Sequence, residues 1–146
     1  MSGSLQREID ALSRAHGIAE LYVFGSRAAE IAAAVRSGSA SDVGSSSPSD
    51  VDVGVRPLPG RDFDLDAVVK MTGALERVLD VARVDIVVLP RANPFLALDV
   101  IRGELLYAAD SHDQAEYELY VLRRAGDLAP FQRARQELAL DRYRER

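Results

Sequence analysis

Cysteine is absent from this 146-residue chain, which excludes disulfides, thiolate nucleophiles and zinc-thiolate centres. Histidine occurs only as His16 and His112, too sparsely for an imidazole metal cluster, and Lys70 is the single lysine, so positive charge is carried almost wholly by arginine. No apolar run approaches the roughly 20 residues that span a bilayer. Met1 to Arg7 leads into an amphipathic stretch rather than a hydrophobic leader, so a cytoplasmic location without membrane association is expected. A net charge of -5 offers no broad cationic surface for nucleic acid, whose affinity comes mainly from cations set against phosphates. What is present is a globular balance: 47% hydrophobic and 28% charged residues, in a length that suits one domain with a real core.

Periodicity orders the elements. Leu5, Ile9, Leu12 and Ala15 fall at helical spacing between Ser4, a suitable N-cap, and Gly17, a suitable stop. Ile18 to Phe24 reads as a strand ending at a Gly-Ser turn, and Arg27 to Val35 as an alanine-rich helix. Residues 37–49 are dominated by serine and glycine, the composition of a mobile loop. Asp50 to Val55 is the second strand, closed by Pro57, Pro59 and Gly60; Leu65 to Leu79 is an amphipathic helix; Arg83 to Leu89 is the third strand. Pro94 suits a first helical turn, which predicts a short helix to Arg102 and a stop at Gly103. Leu105 to Tyr107 reads as a brief edge strand, and two further helices are expected around Asp113–Arg124 and Pro130–Tyr143, parted at Gly126. The order implies an α/β fold: a small mixed sheet covered by helices.

Three places carry chemistry. Gly25-Ser26 joins a strand to a helix start, where bare backbone N–H groups and the positive dipole end can seat a phosphate. Asp50 and Asp52 lie two apart on a strand, so both carboxylates face one side. Such a pair repels unless a cation joins it, and an oxygen-only donor set completed by water and phosphate suits Mg²⁺. Asp85 stands in another apolar strand, Val84 to Leu89, and would add a third carboxylate. The plain alternative makes these three a strand-edge acid and two solvent-facing acids; aspartate is depleted from strands, so their recurrence calls for a reason. Arg27 either neutralises phosphate or stands exposed at a helix start. Lys70 reads as a solvated helix residue, and His16 and His112 as helix-boundary residues. Tyr117, Tyr120, Val121 and Arg124 form a helical stripe for which core packing is expected over a partner surface.

Taken together and in this order, Gly25-Ser26-Arg27, Asp50-Val51-Asp52 and Asp85 resemble the minimal nucleotidyltransferases of the DNA polymerase beta-like superfamily. Within it, the chain resembles the antitoxins of bacterial HEPN/MNT toxin-antitoxin pairs, over most of its length. The helix, glycine and apolar strand from Asn93 to Tyr107 add to the likeness. The resemblance implies a single polymerase beta-like nucleotidyltransferase domain over 1–146. It also implies Asp50, Asp52 and Asp85 as Mg²⁺ ligands and catalytic acids, with Gly25, Ser26 and Arg27 on the nucleotide. The activity implied is transfer of AMP from ATP to a tyrosine of a cognate HEPN ribonuclease toxin, which neutralises it, in a homo-oligomer or a hetero-oligomer with that toxin. Other readings of the same residues are a non-catalytic antitoxin acting by tight complex formation, or an aminoglycoside-type small-molecule nucleotidyltransferase. The segment from Arg27 to Ser49 is roughly twice the family's usual length, and the excess falls in the Ser/Gly-rich insertion 37–49, where extra length costs little closure entropy. Asp42 does not replace Asp50 in the alignment, because Gly44 would then take the second ligand's place.

Overall fold

Alternating apolar positions in four short segments and helical apolar stripes in five others fix the elements, and their pairing fixes the fold. The computed structural model describes residues 4–38 and 50–144. They run as α1 (Ser4–Ala15), β1 (Ile18–Phe24), α2 (Ala28–Ser37), β2 (Val51–Pro57), α3 (Leu65–Leu79) and β3 (Val84–Val88). A 3₁₀ turn (Leu89–Arg91), α4 (Pro94–Ile101), β4 (Glu104–Ala108) and α5 (Ser111–Arg144) complete the order. The four strands form one mixed sheet in the order β3-β2-β1-β4. β1 runs antiparallel to both β2 and β4, while β2 and β3 are parallel, so the chain must cross over between them, and α3 is that crossover.

Both faces of the sheet are covered. Val51, Val53 and Val55 of β2 point to one side, where Leu5 and Ile9 of α1, Ile31 and Val35 of α2, and Met71, Leu75 and Leu79 of α3 close the main core. Each such side chain, fully buried, contributes about 1.5–3 kcal/mol. The opposite face holds a smaller core of Tyr22, Leu89, Ala97, Val100 and Val121, contributed by β1, the 3₁₀ turn, α4 and α5. There α4 lies so close to β2 that a Cβ at Gly54 would overlap Val100, which explains a glycine in the middle of a buried strand.

Most expected elements are present within a residue or two of their expected ends. Pro57 lies inside β2 rather than beyond it, and Leu89 turns into the 3₁₀ segment instead of ending β3. Ser37 closes α2, with Gly38 as its left-handed cap (φ 89°). The rest of the Ser/Gly-rich insertion lies outside the described residues.

The C-terminal half requires a correction. Instead of two helices parted at Gly126, one helix of 34 residues runs from Ser111 to Arg144, with Pro130 inside it. A proline crowds the carbonyl of the residue four before it, and here that residue is Gly126, so the two presumed breakers fall in register with each other. The arginine, leucine, alanine, glutamine and glutamate around them are strong helix formers. The tyrosine stripe is also only partly core: Val121 is buried and Tyr117 packs beside it, but Tyr120 is exposed, its ring 5.9 Å from that of Tyr117. No helix among the described residues is long and apolar enough to cross a membrane.

Candidate active site

The site is assembled at one end of the sheet, on the face that carries α4 and α5. β1 ends at Phe24, which pairs with Asp52 of β2, and Asp52 pairs in turn with Asp85 of β3. Because β1 runs antiparallel to β2, the end of the first strand meets the start of the second, and the Gly25-Ser26 turn arrives beside Asp52. The approach is close: a Cβ on Gly25 would overlap the Oδ2 atom of Asp52. Gly25 also has φ 78°, a left-handed conformation that costs an L-residue energy, so geometry and space demand glycine together. Its carbonyl accepts from the Ala28 N–H (3.2 Å), which tightens the turn into the start of α2, and both Gly25 and Ser26 are exposed there.

Asp50 precedes β2 by one residue, and Asp85 is the second residue of β3. Their proximity to Asp52 has an electrostatic signature. Burial pushes the Asp52 carboxyl above the ordinary aspartate value, and the negative charges of Asp85 and then Asp50 push it further the same way. Asp52 has no cationic partner among the described residues. The three acids share one place but not one ligand shell: among the described residues, no three carboxylate or imidazole groups converge closely enough to hold a metal ion as they stand. The donor set still has the character of a hard-cation site, since it is all oxygen and leaves Asp52 facing two like charges.

Arg27 occupies the N-cap position of α2 and is buried, only 7% exposed, with its Nε donating to Glu30 of the same helix. Its side chain is therefore enclosed rather than projecting into solvent. Lys70 is exposed and pairs with Asp66, and His112 is exposed and faces Glu116.

Sequence reasoning missed two groups. Arg83 directs Nε to within 3.6 Å of Asp50 Oδ2 and 3.9 Å of Asp85 Oδ1. Its position two residues before Asp85 was the available signal, because the period of two sets both on one side. The second is a buried ionic network at the opposite end of the same sheet face: Glu20 accepts two hydrogen bonds from Arg56 (2.8 Å each), which also reaches Asp113 (2.6 Å) and lies over the Tyr117 ring. Glu20 and Arg56 are directly paired across β1 and β2, a fact of register that no local pattern contains.

No protein-family profile and no curated protein matches the chain. Solved structures do. A chain of a mutant form of the toxin-antitoxin MntA-HpeT superposes with a TM-score of 0.64 at 22% identity, over 93% of this chain and 96% of that one. A toxin-antitoxin solved with AMP-PNP gives 0.62 at 23% identity, over 93% and 96%. The tri-AMPylated Shewanella oneidensis HEPN toxin in complex with MNT antitoxin gives 0.60 at 21% identity, over 94% of each chain. The fold is therefore that of the minimal nucleotidyltransferases. At these identities the likeness concerns architecture, and it bears out the resemblance read from Gly25-Ser26, the paired aspartates and Asp85 at that level.

Proposed function

We propose that this chain is a metal-dependent nucleotidyltransferase antitoxin that moves AMP from ATP to a tyrosine of a HEPN ribonuclease toxin. The observation that carries the reading is the contact between the Gly25-Ser26 turn and Asp52, with Asp85 in register beside it, because it brings a phosphate seat and carboxylates to one point. The similar structures support the partner: they are toxin-antitoxin complexes, one with a tri-AMPylated HEPN toxin and one with AMP-PNP.

The residues divide the work by position. Gly25 and Ser26 offer a bare, exposed turn at the start of α2, against which triphosphate oxygens can lie, and Arg27 adds positive charge at the N-cap of that helix. Asp50, Asp52 and Asp85 would hold Mg²⁺. When bound, that ion neutralises the phosphates and stabilises the charge that develops on the leaving pyrophosphate. Asp85, the most exposed of the three, orients the tyrosine hydroxyl and accepts its proton. The phenolic oxygen forms a bond to the α-phosphorus, the bond from that phosphorus to the bridging oxygen of the β-phosphate breaks, and pyrophosphate leaves. The transferred group adds bulk and negative charge to the toxin, which repels RNA phosphate from a basic ribonuclease site.

Intact-protein mass spectrometry of the adjacent-gene HEPN protein after incubation with this chain, ATP and Mg²⁺ tests the proposal. Added AMP on the toxin and loss of its ribonuclease activity are expected. A toxin whose mass never changes, yet which is silenced equally by wild type and by an Asp50/Asp52 double variant, would establish sequestration in place of catalysis.

A further inference from the structure

The acidic site has a cation of its own. Asp50 and Arg83 each stand one residue before the paired Val51 and Val84, so the parallel register sets them side by side at the mouth of the site. Asp85 lies two residues beyond Arg83, which immediately precedes β3. The guanidinium thus straddles two acids that flank Asp52, at 3.6 Å from Asp50 and 3.9 Å from Asp85. Neither contact is a hydrogen bond; both are charge contacts at the margin of ion-pair distance. The backbone beneath is tied down, since the Arg83 carbonyl accepts from the Val51 N–H at 3.1 Å, while the side chain is 71% exposed. A fixed root and a solvated head describe a charge that can occupy the site and leave it.

We propose that Arg83 is a resident counter-cation of the acidic cluster, which a divalent cation joining Asp50 and Asp85 must displace, so that Arg83 sets metal affinity and steadies the metal-free state. The inference rests on the reading of Asp50, Asp52 and Asp85 as metal ligands. It follows from the charges: three carboxylates at one sheet end repel each other, Arg83 relieves part of that repulsion, and a metal ion offers the same relief more strongly while being repelled by the guanidinium.

The test compares wild type, R83Q and R83K by calorimetric titration with Mn²⁺ and Mg²⁺, and by thermal melts with and without metal. R83Q is expected to bind metal roughly threefold to tenfold more tightly, the scale of one exposed charge contact doubled by a divalent ion. Without metal it should melt below wild type, and saturating metal should erase the difference. R83K keeps the charge and should restore wild-type affinity. Because Arg83 is exposed and its backbone bond does not depend on its side chain, these variants should fold. Equal or weaker metal binding by R83Q overturns the inference while leaving the metal site intact. Weaker binding of a non-hydrolysable ATP analogue at unchanged metal affinity also overturns it and makes Arg83 a phosphate ligand. Absence of metal binding in every form, at concentrations that saturate known sites of this chemistry, overturns the metal reading and this inference with it.

Discussion

Along one face of β2, Asp52 and Arg56 sit on either side of Gly54, and the two charges meet opposite fates. Arg56 is enclosed: Glu20 binds it from β1, Asp113 from the start of α5, and Tyr117 lies under its guanidinium. Asp52 is left with like charges for neighbours and a bare glycine turn against its carboxylate. The cause is coverage. α5 begins over the Arg56 end, and α4 presses on Gly54, but neither closes over the end where Gly25, Asp50 and Asp85 gather. A charge that a fold must bury receives partners of opposite sign, whereas Asp52, which the proposed function assigns to a ligand, is set among charges of its own sign.

The sharpest way to break this contrast is to neutralise each end in turn. Asp52→Asn should lower the rate of nucleotidyl transfer roughly 10³-fold or more, the scale of losing a group that organises transition-state charge. Its melting temperature should not fall, because a like-charge contact is relieved; single-turnover kinetics and a thermal melt together check both halves. A large loss of stability would mean that Asp52 is structural.

At the other end, Arg56→Met should cost about 3–5 kcal/mol in urea unfolding, since it strands a buried Glu20 without its partner. Adding Glu20→Leu should return most of that loss, because a packed apolar pair can replace a buried ionic one. If the single variant is as stable as wild type, the network is not what fastens α5 to the sheet.

The same network sets a pH dependence. Burial raises the Glu20 carboxyl above its ordinary 4.5, outweighing the opposite pull of Arg56. The folded protein therefore keeps this proton at pH values where the unfolded chain has released it. Its contribution to stability is complete below the unfolded value and is lost as pH rises through the raised one. Removing Arg56 should raise the carboxyl further, which extends that loss to higher pH and enlarges it. Urea midpoints for Arg56→Met should accordingly fall more than those of wild type as pH rises above the ordinary glutamate value.

Gly54→Ala probes the middle of the strand. The added methyl meets Val100, and overpacking of this kind costs about 1–3 kcal/mol without touching either charged end. Transfer activity per folded molecule should be preserved. Gly25→Ala has the same chemical size but forces a methyl against Asp52 at positive φ, so it should reduce activity much more than Gly54→Ala does; steady-state rates of the two variants decide it.

Much of this was legible locally. Leu5, Ile9 and Leu12 announce α1, the valines at 51, 53 and 55 announce a strand with one apolar face, and their complement puts Asp50 and Asp52 on the other. Phe24-Gly25-Ser26 marks a strand end because only glycine accepts the turn. By contrast, Gly126 and Pro130 misled as helix breakers, because a break depends on whether the two residues conflict, and here they stand four apart in one continuous helix. Tyr120 misled as well: helical spacing gives a stripe but not what covers it.

The sequence by itself determined which residues are apolar, which strands alternate and which turns need glycine, since these depend on neighbours a few positions away. Only the tertiary structure decided that Arg83 would stand between Asp50 and Asp85, that Glu20 would be buried against Arg56, and that Asp52 would be left with acids and a glycine beside it. Those outcomes depend on the order β3-β2-β1-β4 and on the register of strands far apart in the chain. A charge's role is set by which other charges the fold brings within a few ångströms, and that distance is not a property of sequence separation.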